Sequence, residues 1–289
     1  MRTLIDVESL QTRLASGEPI AVLDVRWALG DPNGYQHYLD GHIPGGVYVD
    51  LERGLAAPGA PKQGRHPLPE PADFQEAARR WGLDDGGVVV AYDDNGSMSA
   101  ARLWWLLRDA GHEQVYLLDG GLNAWKQAGY ALEAGSTTPT PGSVRLASGR
   151  MPSVSMAEAG SFPDRGLLLD ARAGERYRGE SEPIDPRAGH IPGARSAPTS
   201  DNLTADGRFK PAVELRERFE SLGAGGKSLS PGGPGENPPA AVAVYCGSGI
   251  TAAHEIAALE IAGLSGALYP GSWSQWSNHP QLPVATGAE

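Results

Sequence analysis

A thiol between the end of a buried strand and the start of a helix can act as a nucleophile, and this sequence sets one there. An apolar run over 240–245 ends at Tyr245, Cys246-Gly247-Ser248-Gly249-Ile250 follows, and helix-forming residues run from Thr251 to about Ala262, where Gly263 stops them. That order predicts a strand, a tight loop and a helix N-terminus. Loop amides from Gly247 to Ala252 can converge on the sulfur, and the helix dipole adds positive potential there. Both favour the anionic sulfur, which is the nucleophilic form. Gly247 and Gly249 permit the positive φ angles of a curled nest. Cys246 is the only cysteine in the chain, and on these residues alone a buried, inert thiol is an equally good reading.

The rest of the chain must position that loop, and its bulk properties narrow what the loop can serve. At 289 residues it is long enough for two ordinary domains, and 40% hydrophobic with 20% charged residues is a normal globular composition. A net charge of −11 argues against nucleic acid or an anionic membrane as partner. The same charge repels small anions, so a site for them has to build its own positive potential. One cysteine excludes intrachain disulfides and cysteine-cluster metal sites, and no metal-spaced histidine pair or phosphate-cradling Gly-x-Gly-x-x-Gly occurs. No cofactor is expected. The opening residues lack a long apolar core and no run reaches membrane-spanning length, so a cytoplasmic enzyme without a signal peptide is expected.

The two halves repeat each other. Ala21-Val22-Leu23-Asp24-Val25-Arg26 returns as Leu167-Leu168-Leu169-Asp170-Ala171-Arg172, and Gly41-His42-Ile43-Pro44-Gly45 as Gly189-His190-Ile191-Pro192-Gly193. Val88-Val89-Val90-Ala91-Tyr92 returns as Ala241-Val242-Ala243-Val244-Tyr245, and Gly120-Gly121-Leu122-Asn123-Ala124-Trp125 as Gly271-Ser272-Trp273-Ser274-Gln275-Trp276. A nearly constant offset this long marks a duplicated domain, not a solenoid unit. Short buried strands (20–25, 88–92, 115–118) alternate with helical segments (7–14, 74–81, 100–110, 122–128), which predicts an α/β fold with a mostly parallel central sheet flanked by helices in each half. Residues 1–134 read as the first domain, the Gly/Ser/Thr/Pro-rich 135–153 as a linker and 154–289 as the second domain. The stretch 223–239, with six glycines and four prolines, reads as a mobile surface loop inserted before the strand to Cys246. Aligning Tyr92 with Tyr245 sets Asp93 opposite Cys246, so only the second domain carries a thiol.

The loop Cys246-Gly247-Ser248-Gly249-Ile250-Thr251, with both copies of Leu-Asp-x-Arg and Gly-His-Ile-Pro-Gly, resembles the tandem-domain rhodanese superfamily in its 3-mercaptopyruvate sulfurtransferase form. The resemblance extends over nearly the whole chain and implies two tandem rhodanese-like domains. It implies that Cys246 carries sulfur as a persulfide, from 3-mercaptopyruvate to a thiophilic acceptor, at a site to which the first domain lends residues. In that branch the loop serine works with a histidine and an aspartate of the first domain, which match Ser248, His42 and Asp31, with Asp40 a rival to Asp31. The donor's carboxylate and keto oxygen call for two arginines, matched by Arg176 and Arg187, beside loop residues Gly247, Gly249, Ile250 and Thr251. His190 reads as structural, its polar tip bonded to nearby backbone.

Gly247 stands where thiosulfate-specific relatives usually present a basic residue, which leaves thiosulfate as the alternative donor. The acceptor class is cyanide, a small thiol or a thioredoxin-like protein. A cysteine phosphatase needs Cys-x₅-Arg, and the sixth residue after Cys246 is Ala252. A non-catalytic binding module would ordinarily lack the cysteine.

Overall fold

The computed structural model describes residues 3–225 and 241–288. Most of the inserted stretch 223–239 therefore lies outside the described residues. The chain forms two compact units, each with one sheet in which every strand pair is parallel.

The first unit holds β1 (Leu4–Ile5), β2 (Ile20–Asp24), β3 (Val47–Tyr48), β4 (Val88–Tyr92) and β5 (Val115–Leu118) in the order β1-β5-β4-β2-β3. The second holds β6 (Leu167–Asp170), β7 (Arg195–Ser196), β8 (Val242–Tyr245) and β9 (Ala267–Leu268) in the order β7-β6-β8-β9. Central strands buried on both faces read as continuous apolar runs, as 88–92 and 241–245 do. The registers match: Asp24 lies beside Tyr92, and Asp170 beside Tyr245. Each sheet packs on its own core. Val22, Ile43, Val90, Tyr92, Leu118 and Trp125 are central to the first, and Leu168, Ile191, Ala243, Tyr245, Trp273 and Trp276 to the second.

The Leu-Asp-x-Arg motif staples each sheet. Arg172 forks onto Asp170 through Nε at 3.0 Å and Nη2 at 2.6 Å and donates to the Gly189 carbonyl at 2.7 Å. Arg26 makes the same bonds to Asp24 and to the Gly41 carbonyl. A buried ion pair of this kind is stable because its geometry is bidentate and the guanidinium also donates to a backbone carbonyl.

The sequence boundaries differ from the structural ones in two ways. Residues 135–151 lie along the first unit instead of linking freely: Gly142 N donates to Arg79 O, Val144 N to Leu83 O, and Leu146 N to Gln75 Oε1. Each unit also takes in a short arm from the other half of the chain. Pro58–Pro67 belongs to the second unit and Leu203–Phe209 to the first. The first arm is fixed by Arg65 N donating to Ser274 Oγ at 3.1 Å, the second by Phe209 N donating to Asp119 Oδ1 at 3.0 Å.

Candidate active site

β8 delivers Cys246 to the C-terminal edge of its sheet, where it is 1% exposed. Its backbone is held by the segment 269–274. Cys246 N–H donates to Ser272 Oγ at 3.1 Å, Trp273 N–H to the Cys246 carbonyl at 2.9 Å, and Ser274 N–H to the Gly247 carbonyl at 2.8 Å. The helix Thr251–Ile261 starts five residues later. Gly249 takes φ +80°, which turns its N–H onto the sulfur at 3.1 Å. Of the two loop glycines only Gly249 has this conformation. Gly247 serves by lacking a side chain: a Cβ there would lie 3.2 Å from Arg65 Nη2 and 3.5 Å from Arg176 Nη1. Two guanidinium groups thus flank the residue after the cysteine.

Those cations are themselves held by carboxylates. Arg65 is ion-paired with Asp185, Arg176 with Glu182 at 2.6 Å and with Asp185 at 3.4 Å, and Arg172 with Glu182 at 3.2 Å. Burial pushes the Asp185 carboxyl up; Arg65 and Arg176 pull it down, and Glu182 adds to the rise. On the other side of the loop, Ser248 Oγ lies 2.8 Å from His66 Nδ1, and both residues are buried. A hydroxyl bonded to an imidazole two residues from a nucleophilic sulfur can pass protons.

The first unit shows the same loop without a thiol. Asp93 takes the place of Cys246, and its carboxylate accepts N–H bonds from Asn95 (3.0 Å), Ser97 (2.8 Å), Ser99 (2.8 Å) and Ala100 (2.9 Å). This loop therefore gathers at least four backbone donors around one anion. Complete burial pushes Asp93 up to about 6, against the pull of those bonds.

Two sequence expectations need correction here. His42 does not partner Ser248: its Nδ1 is bonded to Tyr38 O at 3.0 Å, its ring stacks on Tyr38, and Nε2 meets Thr137 Oγ1 at 3.4 Å. His190 does the same with Tyr177, at 2.8 Å and stacked. The paired histidines of Gly-His-Ile-Pro-Gly are thus one structural device used twice. Asp31 is bonded to His37 Nε2 at 3.0 Å and to Asn33 N, and Asp40 accepts from Gln36, so neither orients His42. Arg187, expected beside Arg176 at the donor, is engaged elsewhere. Its guanidinium donates to four carbonyls, of Ser277, Leu282, Trp276 and His279, at 2.8–2.9 Å, and so closes the end of the last helix. Arg176 stays at the mouth, and Ile250 and Thr251 lead into the helix below the sulfur.

The Rhodanese-like domain family matches residues 6–128 and again 155–279. The chain belongs to that family. Among its relatives, a Pseudomonas aeruginosa protein named as a probable 3-mercaptopyruvate sulfurtransferase is 45% identical over 98% of both chains. A Mycobacterium tuberculosis protein that carries the name of a thiosulfate sulfurtransferase is 41% identical over 99% of this chain and 98% of its own. The solved 3-mercaptopyruvate sulfurtransferase SseA of Escherichia coli superposes with a TM-score of 0.80 at 31% identity, covering 94% of this chain and 99% of that one.

In this rhodanese chain the residues that sequence reasoning missed are Arg65 and His66. Both sit on the arm 58–67, which the repeat could have exposed. Gly64-Arg65-His66-Pro67 is echoed by Gly207-Arg208-Phe209-Lys210-Pro211, on the arm that runs the other way.

Proposed function

We propose that this protein is a sulfurtransferase that moves a sulfane sulfur from 3-mercaptopyruvate to a thiophilic acceptor through a persulfide on Cys246. The Cys246 sulfur attacks the donor sulfur, the carbon–sulfur bond breaks, and its electron pair passes to carbon as the pyruvate enolate. The donor's thiol proton ends on that carbon, giving pyruvate and an anionic persulfide. The Gly249 N–H and the helix N-terminus face that charge. Ser248, bonded to His66, carries the proton, and Arg176 and Arg65 receive the donor's carboxylate and keto oxygen. Cyanide, a small thiol or a thioredoxin-like protein then takes the outer sulfur and restores Cys246.

One observation supports this donor above others, the Ser248–His66 hydrogen bond beside the cysteine. Transfer from thiosulfate releases sulfite and moves no proton, so it has no use for such a pair. A specific observation does favour thiosulfate as a second reading: two guanidinium groups close to Gly247 suit a compact dianion. An unpaired cysteine fits a reducing compartment, and the proposal places the enzyme in the cytoplasm. Among the described residues no helix is long and apolar enough to cross a membrane.

Incubation with 3-mercaptopyruvate and no acceptor is expected to add one sulfur atom to the intact protein, and Cys246→Ser is expected to take up none. Sulfur uptake by that variant would overturn the assignment. Steady-state kcat/KM for both donors decides between the two readings.

A further inference from the structure

Rhodanese chemistry at Cys246 needs an anion to approach the sulfur of a protein with net charge −11. The mouth of the loop supplies Arg65 and Arg176, yet both are partly neutralised from within. Asp185 is the group they share. Its side chain is 2% exposed, ion-paired with Arg65 and 3.4 Å from Arg176 Nη2. Glu182 anchors its backbone, since Glu182 Oε1 accepts both Ile184 N–H and Asp185 N–H. Arg65 is 28% exposed on its side chain, and its Nε is buried with no hydrogen-bond partner. Its backbone is fixed by Ser274 and its neighbour His66 by Ser248. Arg65 is therefore a rigidly mounted cation with spare donor capacity at the residue after the nucleophile, and Asp185 is its resident counter-anion.

We infer that Arg65 and Asp185 form a charge-setting pair, in which Arg65 attracts the donor anion to Cys246 and Asp185 limits how strongly it does so. Arg65 takes the part that Arg187, saturated by four carbonyls, cannot play. The pair sets donor preference by charge. With Asp185 present, the mouth presents less than two net positive charges, which suits a monoanionic keto acid. Removing Asp185 raises the local potential and favours a dianion. A donor carboxylate entering here exchanges with a carboxylate already hydrogen-bonded, so a poorly fitting anion gains little.

The inference rests on the sulfurtransferase reading for its meaning, but its test does not require sulfur transfer. Cys246 is the only cysteine, so alkylation by iodoacetate, an anion, and by iodoacetamide, its neutral analogue, reports on one sulfur. The ratio of the two rates cancels changes in folding and in thiol nucleophilicity and reads the local charge. Arg65→Gln is expected to lower the ratio about tenfold and Asp185→Asn to raise it by a similar factor, as one unit charge a few ångströms away at a dielectric close to that of water predicts. Arg65→Lys, which keeps the charge, should hold the ratio within about threefold. Arg178→Gln, which removes an equal charge from an exposed pair with Glu180, should leave it unchanged. In steady state, Asp185→Asn should lower KM for thiosulfate more than for 3-mercaptopyruvate. If Arg65→Gln shifts the ratio no more than Arg178→Gln does, or if Asp185→Asn fails to raise it, the inference is wrong. Failure of donors to load sulfur on the wild type would instead sink the sulfurtransferase reading, with the alkylation ratio still informative.

Discussion

Replacing Ser248 by alanine separates the two donors by mechanism, not by affinity. The hydroxyl is 2.8 Å from His66 Nδ1 and lies two residues beyond the nucleophile. Its removal deletes the link through which a proton would reach the nascent enolate. A positioned proton donor contributes roughly 10²–10⁴-fold, so kcat for 3-mercaptopyruvate should fall by about 10²-fold or more. Thiosulfate cleavage moves no proton, and its kcat should stay within about threefold. The structural cost is small by comparison: losing one hydrogen bond between buried groups costs about 1 kcal/mol of stability, which a folded domain tolerates. The assay is pyruvate release, coupled to a dehydrogenase, against thiocyanate formation from thiosulfate and cyanide, with single-turnover sulfur loading of Cys246 read by intact mass. His66→Gln should reproduce the split. Equal losses with both donors would refute the reasoning, because the pair would then be holding the loop instead of moving a proton.

Arg187→Ala should lower stability by about 2–4 kcal/mol, because four carbonyls lose a charged donor; urea midpoints measure this, and donor KM should change less than in Arg65→Gln. Asp93 gives a pH signature of definite sign. With its folded value at about 6 and an ordinary carboxylate near 4 when unfolded, the folded state binds the proton more tightly. Its contribution to stability is full below about pH 4 and is lost as pH rises to about 6, by up to about 3 kcal/mol. Denaturant midpoints across that range should show the slope in the wild type and not in Asp93→Asn. His42→Gln should lower Tm by several degrees through the lost Tyr38 bond and stacking, while the kcat ratio of the two donors stays fixed.

How much of this could be read from residues alone depends on whether the signal is local. The strand–loop–helix around Cys246, the parallel sheets and the thiol-free copy at Asp93 all follow from runs of apolar residues, glycines and an internal offset. The partner of Ser248 does not follow from local pattern, because it comes from 182 residues away on an arm whose one sequence signal is its short echo at 207–211. His42 was within reach: its repeat mate His190 reads as structural, and the two residues make matching bonds. Assigning them different roles sets the repeat aside where it is most informative. Arg187 was not within reach, since the carbonyls it caps lie some 90 residues further on and leave no trace beside it. Arg176 was within reach, because the register of Asp170 beside Tyr245 brings its segment and the Cys246 loop to the same edge of the sheet.

The crossed arms also constrain how the chain can be made. A duplicated protein ordinarily folds its first domain while the second is still being synthesised. Here the first unit lacks one of its own pieces until residue 209 has left the ribosome, and residues 58–67 emerge long before the surface that receives them exists. Neither half can reach its final form alone. The late, long-range closure of Ser274 onto Arg65 and of Ser248 onto His66 belongs to the slow class of folding steps. The nucleophile thus gains its cation and its imidazole only once the arm 58–67 has docked on the second unit, and a second half made without that arm lacks both.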